Sequence, residues 1–421
     1  MGVAYAVRVC IVYPYAIWLL GKPSGGAEKQ VGLLAQHLVR RGNEVTFVAL
    51  DFPRHEAEIG GVFVRPGWPA GRGIRWLRFA THKLPNLKRL VAEIDADLYY
   101  VRGTHAVSRW VIAGAHALGA PALLGLASDR NLLPESGRML APLGQGPAGG
   151  ATGLIAWLLL QRPALHSADA VIVQNDEQAL RCSRMGLPHV LIPSIVEPPP
   201  QDLLEREADY DVVWAGNVQA LTRRSKGVDT LLSLAQVLPE VRFAVVGKLT
   251  EASMTADFAS LSAFPNVDVL GQLEYEATQG LIARSRLVLN TSSVEGFSNV
   301  MLEGWALGKP AVTLAVNPSG LLADGRWPSP DIQGRRFKGA LGACASGDIG
   351  LLSRLIGTAL GDEAALLEVG RLCRAYVTEA HGADAVCARY EDLAALPCYT
   401  SCGDVPIRTD AGAGSSPHSL R

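Results

Sequence analysis

Between Ser293 and Pro310 the chain reads SVEGFSNVMLEGWALGKP, which sets two carboxylates, Glu295 and Glu303, eight positions apart. Val300, Met301, Trp305 and Ala306 recur at helical spacing, so a short helix is expected here. Ser298 or Asn299 can cap its start, and Gly308 followed by Pro310 is a stop signal. Eight residues of helix rise about 12 Å, which would place both acids along one side of a helix start. Free N–H groups and the positive dipole end make such a start attractive to anions. Carboxylates flanking an anion site repel phosphate but accept hydrogen bonds from hydroxyls. A nucleotide-sugar carries its anion in the middle, with a ribose on one side and a hexose on the other, and would suit such a site.

Two further stretches have the composition of phosphate sites. Gly25-Gly26 stands directly before the helical pattern AEKQVGLLAQHLVRRG, where backbone can approach a ligand closely and helix amides are free. In WAGNVQALTRRSKGVDTLL a loop bearing Arg223, Arg224 and Lys226 joins a strand to a helix; Arg meets a diphosphate bidentately and Lys as a point charge. The G-x-G-x-x-G spacing occurs once, at 144–149, within a run broken by prolines and glycines rather than between a strand and a helix, which argues against a dinucleotide cofactor.

With 421 residues, the chain is long enough for two to three domains with substantial cores. A net charge of −1 gives no overall attraction to nucleic acid, so any electrostatic steering must be local. The 7 cysteines are odd in number and scattered, which suggests a reducing, cytoplasmic setting rather than a disulfide framework. Cys398 and Cys402 lack the further ligands a zinc site needs. The uncharged run 139–161 is broken by prolines and glycines and reads as a loop followed by a buried or interfacial helix, too short to span a bilayer.

Ten apolar runs read as strands alternating with helices, five (7–14, 44–50, 97–102, 121–127, 170–175) before a proline-rich linker and five (210–217, 241–248, 267–273, 286–293, 309–315) after it. Two consecutive α/β units of this kind form two Rossmann-like domains facing a cleft, with ligands beyond the carboxyl ends of the strands. The expected division is 1–196, 197–382, a helix 383–396 that could cross back to the first domain, and a disordered tail 397–421.

The span Tyr210–Leu321 resembles the second domain of retaining glycosyltransferases of family 4, which have the GT-B architecture. The resemblance rests on G-N…K-G-V-D, N-V…G-Q-L and the E-x7-E motif E-G-F-S-N-V-M-L-E-G-W-A-L-G-K-P; GGAEKQVGLLAQHLVRRGNEVTFVA is similar to the family's N-terminal start. It implies a hexosyltransferase with a nucleotide-sugar donor bound by the second domain and a glycan or lipid-linked acceptor on the first. It also implies that Glu295 contacts donor sugar hydroxyls, Glu303 the ribose and Lys226 the diphosphate. Gly296, Phe297, Ser298 and Asn299 would offer backbone amides, and the loop at Leu273 would hold the base. Asn217 stands where many members place Arg, leaving Arg223 or Arg224 as the substitute cation. Ala127-Ser128-Asp129 stands where many have His, leaving Ser128 or Asp129 to contact the hexose. A nucleotide-sugar 2-epimerase of the same fold and a non-catalytic glycan- or nucleotide-binding partner are the competing readings.

No metal or other cofactor is expected. Asp95/Asp97 and Asp209/Asp211 match a metal-binding D-x-D, but both precede strands, at the edge of the sheet away from the cleft. From Ile59 to Ala92 there is no acid, and Arg65, Arg72, Arg75, Arg78, Lys83, Lys88 and Arg89 are interleaved with Trp68, Trp76 and Phe79. Residues 65–89 could therefore meet an anionic membrane peripherally at its inner face, or an anionic lipid-linked acceptor; a solvated helix is the simpler alternative.

Overall fold

The run RVCIVY forms β1 (Arg8–Tyr13), whose side chains are buried on both faces. Cys10 and Val12 join one apolar cluster with Leu87, Val111 and Ile112, while Val9 and Ile11 join another with Leu33, Leu34 and Leu38. A near-continuous apolar strand is what a parallel sheet covered by helices on both sides requires. In the computed structural model the described residues are 6–22, 25–50, 52, 55–68, 79–133, 154–155, 157–216, 226–247, 255–328 and 337–395.

Seven strands accompany β1 in the first sheet: β2 (Glu44–Ala49), β3 (Ala57–Ile59), β4 (Val62–Pro66), β5 (Leu98–Arg102), β6 (Ala122–Gly125), β7 (Ala170–Val173) and β8 (His189–Leu191). Their order is β3-β4-β2-β1-β5-β6-β7-β8, parallel except for the β3–β4 hairpin. Gly60 and Gly61, at φ 58° and 81°, supply the left-handed pair that a tight hairpin turn demands. The second sheet holds β9 (Tyr210–Ala215), β10 (Phe243–Val246), β11 (Val267–Gly271), β12 (Ser285–Asn290), β13 (Ala311–Thr313), β14 (Ala323–Asp324) and β15 (Gly342–Cys344). Its order is β11-β10-β9-β12-β13-β15-β14. Each sheet grows first to one side and then to the other, so the chain reverses between β1 and β5 and between β9 and β12. These two switch points open crevices at the carboxyl ends of the strands.

All ten runs expected as strands contain one. Five strands were not anticipated. β3 and β4 lie at the start of the basic segment and are short, β8 has three residues after Pro188, and β14 and β15 consist mostly of small residues with little β-propensity. Cys10, Cys182, Cys344, Cys373 and Cys387 are buried free thiols, and Cys398 and Cys402 lie outside the described residues. Among the described residues no helix is long and apolar enough to cross a membrane.

The chain passes between the sheets twice, at 192–197 and at 381–382. The helix Ala383–Ala394 returns to the first sheet, where Val386, Cys387, Tyr390 and Leu393 enter the cluster of Ile11 and Leu34. Tyr390 meets Tyr100 edge-on at 5.3 Å, and Glu391 accepts from Arg41 (2.7 Å) and Asn43 (2.7 Å). The two passages are tied together: His381 Nδ1 donates to Ser194 O (2.7 Å) and Val196 N to His381 O (3.1 Å). The imidazole is buried in T-shaped contact with Phe297 and Tyr376, and its Nε2 has no hydrogen-bond partner among the described residues.

Burial pushes the His381 pKa down to about 4, so the folded chain holds it neutral. Below its ordinary value of 6.5 the unfolded chain takes up a proton that the folded chain refuses until about pH 4. Stability contributed by this group is therefore full above 6.5 and falls with pH by up to about 1.4 kcal/mol per unit across that window. His381→Gln should flatten this slope in urea unfolding at pH 7, 6 and 5; an unchanged slope would show that His381 does not set it.

Candidate functional site

The two sets of carboxyl ends face one another across a cleft of about 680 Å³. Tyr13, Gly25, Gly26, Thr104, His105 and Ser128 line it from the first domain, and Gly216, Lys226, Gly247, Leu273, Glu295 and Ser298 from the second. These residues come from the end of β1 and from the loops after β1, β5, β6, β9, β10, β11 and β12, so parallel topology alone brings them together.

Two helix starts point into this space. The helix Gly26–Arg40 begins after Gly25, whose N–H is taken by Glu28 Oε2 (2.9 Å). The helix Asn299–Ala306 begins after Ser298 and ends before Gly308, at φ 72°. Glu295 therefore lies in the loop before this helix rather than on it, and only Glu303 is helical. A Cβ on Gly26 would overlap Asn299 Nδ2, so glycine at position 26 permits the two helix starts to touch. Gln30 Nε2 donates to Asn299 Oδ1 (2.9 Å) and to Ile195 O (2.9 Å), and Ile195 N donates to Gln30 Oε1 (2.8 Å).

Glu295 pairs with the Lys226 ammonium and accepts from Ser292 Oγ at 2.8 Å. Lys226 is placed through its backbone: Thr291 Oγ1 donates to Lys226 O (2.6 Å) and in turn accepts from Trp214 Nε1 (2.9 Å). Gly227 then turns at φ 68° to start the helix Val228–Val237, and a Cβ there would overlap Thr291 O.

Glu303 is buried and held from both domains. Lys29 Nζ meets its Oε1 at 2.6 Å and Gln279 Nε2 its Oε2 at 2.8 Å. The same ammonium lies 4.0 Å from the Tyr275 ring centroid and 5.4 Å from that of Trp18, and these rings meet edge-on at 5.2 Å. Burial opposes the charge on Lys29, but Glu303 and Tyr275 outweigh it and the pKa stands raised, so Lys29 is a cation.

The remaining expected residues divide. Phe297 borders the cleft but rests against Trp305 (5.9 Å) and His381 (5.4 Å). Gly296 faces the first domain, its carbonyl accepting from Asn175 Nδ2 at 3.0 Å. Ser128 borders the cleft, whereas Asp129 accepts from Gln178 Nε2 (2.8 Å), with its pKa raised by burial. Asn217, Arg223 and Arg224 lie outside the described residues. Asp97 pairs with Arg8 at 2.6 Å, as does Asp95, while Asp209 pairs with Arg284 (2.8 Å) and Asp211 with Arg286 (3.3 Å). Asp95, Asp97 and Asp209 precede their strands and Asp211 is the second residue of β9, so all four lie at the amino ends, opposite the cleft.

The sequence reading missed Lys29, Trp18, Tyr275 and Gln279, and also His105. His105 is half-buried beside the cleft, its Nε2 has no hydrogen-bond partner among the described residues, and burial lowers its pKa. Its only sequence signal is its position three residues after β5, beyond the carboxyl end of a central strand.

A Glycosyl transferase 4-like domain model matches residues 25–194, and a Glycosyl transferases group 1 model matches residues 209–331. No curated protein matches the chain. Solved structures resemble it in fold at low identity. Sucrose-phosphate synthase from Thermosynechococcus elongatus has a TM-score of 0.70 and 18% identity, over 92% of this chain and 98% of that one. The catalytic domain of starch synthase IV from Arabidopsis thaliana, bound to ADP and acarbose, has 0.65 and 11%, over 93% and 99%. WaaG, a glycosyltransferase involved in lipopolysaccharide biosynthesis, has 0.63 and 14%, over 92% and 100%. The matched domains supply the two sides of the cleft, and the chain belongs to the group 1 glycosyltransferases, with the GT-B fold.

Proposed function

We propose that the enzyme transfers a hexose from a nucleotide-diphosphate sugar to a hydroxyl of a glycan or lipid-linked acceptor, with retention at the anomeric carbon. The observation that carries this reading is the helix start at Ser298 with Glu295–Lys226 on one side and Glu303 on the other. In this assignment Glu303 takes the ribose hydroxyls, Lys226 and the amides at Gly296–Asn299 take the diphosphate, and Glu295 takes hexose hydroxyls. Gly25 and Gly26 let backbone approach the sugar, and the loop at Gln272 and Leu273 borders the base.

The bond between the anomeric carbon and the diphosphate oxygen breaks, its electron pair leaving with the diphosphate. The acceptor oxygen bonds to the same face of that carbon, and its proton passes to the departing phosphate oxygen. Lys226 and the helix amides stabilise the charge that grows on the leaving group. No metal is assigned a part, since the four D-x-D carboxylates are paired with arginines at the far edge.

For the acceptor, the first domain offers an apolar ridge. Leu154, Ile155, Leu158 and Leu159 are 45, 53, 42 and 60% exposed, while Gln161, two residues on, borders the cleft. Arg109 donates to Leu159 O (3.2 Å), and Lys88 and Arg109 lie over the Trp110 ring, which sets cations beside the leucines. Arg130 faces the cleft with no ion pair among the described residues. Exposed leucines flanked by cations suit an acceptor or membrane with an apolar phase and an anionic head. Within 65–89, Arg72, Arg75 and Arg78 lie outside the described residues, Arg65 pairs with Glu56 (2.6 Å) and Lys83 lies over Trp68.

Glu303→Gln should weaken donor binding by about 1.5–3 kcal/mol, the loss of a charged hydrogen bond, and should also lower stability, because the buried Lys29 ammonium loses its counterion; unchanged affinity in calorimetry of the folded variant would remove Glu303 from the ribose site. Excess EDTA should leave turnover intact, and activity abolished by EDTA but restored by Mn²⁺ would revive the D-x-D acids. The double variant Leu158→Ser/Leu159→Ser should sediment less with anionic vesicles while turning over a short soluble acceptor normally. Sedimentation indifferent to lipid charge and salt would favour a soluble acceptor.

A further inference from the structure

We propose that Lys29 is a positioning residue that completes the ribose subsite across the domain interface, orienting Glu303 toward a vicinal diol only when the domains are closed. This rests on Glu303 being the ribose ligand.

An ionised carboxylate has room for about four hydrogen bonds, two on each oxygen. Lys29 takes one place on Oε1 and Gln279 one on Oε2, so one place on each oxygen is left for a ligand donor. The 2′- and 3′-hydroxyls of a ribose are two adjacent donors and match two adjacent oxygens. Gln279 belongs to the same domain as Glu303 and is present whatever the domains do. Lys29 belongs to the first turn of the helix Gly26–Arg40 and reaches Glu303 only across the interface. With Lys29 withdrawn, a carboxylate only 10% exposed would keep its charge without a counterion and would be free to turn.

The neighbouring contacts register the same closure. Trp18 from the first domain and Tyr275 from the second hold the Lys29 ammonium against their faces, and Gln30 joins Asn299 to the inter-domain passage at Ile195. Pairing with Lys29 also removes the net negative charge that would oppose a diphosphate brought to the helix start.

The test is calorimetric binding of UDP, GDP and ADP to the full chain, followed by the 2′-deoxy counterpart of the tightest of them, in wild type, Lys29→Met, Lys29→Arg and Glu303→Gln. Wild type should bind the ribonucleotide at least tenfold more tightly than its 2′-deoxy form. Lys29→Met should bind the ribonucleotide at least tenfold more weakly and lose most of that preference, and Lys29→Arg should restore part of it. Donor KM should rise in Lys29→Met by more than kcat falls, a split that a merely structural ion pair would not produce. Preference kept in Lys29→Met but lost in Glu303→Gln overturns the role of Lys29 alone; preference kept in both overturns the ribose assignment beneath it. Should Lys29→Met fail to fold, Lys29→Gln carries the same comparison with the same expected loss.

Discussion

A buried ion pair spanning two domains organises this molecule's cleft. Taking Lys29 and Glu303 out of water is expensive, and an attraction at 2.6 Å repays it only with good geometry and further partners. Gln279 satisfies the second carboxylate oxygen, and Tyr275 and Trp18 offer their faces to the ammonium. Removing one partner from a buried pair leaves an uncompensated charge, a loss of about 3–5 kcal/mol in proteins generally. The closed arrangement of the two sheets therefore depends on a contact made by the same carboxylate assigned to the donor. On that assignment, donor binding and closure act on one group.

Close backbone approach is the second requirement. Gly26 lets one helix start touch the other, and Gly227 lets the Lys226 loop sit against Thr291. At both positions a single added carbon would meet an atom that defines the site. The cleft is consequently built from main chain as much as from side chains, which suits a ligand whose diphosphate is best met by rigid N–H groups.

Much of this was legible in the sequence. Strands buried on both faces read as continuous apolar runs, which is why β1, β5 and β9 stand out, and the E-x7-E segment marked its own helix start. The contacts of Glu303 were not legible. Lys29 is 274 positions away, and its ammonium, on an otherwise ordinary amphipathic helix, carries no local sign that it will be buried. Nor was the partner of Asp129: the resemblance implied that it or Ser128 contacts the hexose, and in the structure its Oδ1 accepts from Gln178, 49 positions away. A short strand such as β15, Gly-Ala-Cys, exists because neighbouring strands hold it, not because its residues favour extension.

The returning helix Ala383–Ala394 has a bearing on biosynthesis. Ribosomes deliver a chain from its amino end, and domains usually fold as each is completed. Here the apolar face of Leu34 and Ile11 is finished by Val386 and Tyr390, made more than 350 residues later by the numbering of the chain. The first domain emerges early but with part of its core uncovered, while the second is complete before the last helix arrives. A nascent polypeptide must therefore keep that face open while the second domain is made, until the helix Ala383–Ala394 arrives to cover it.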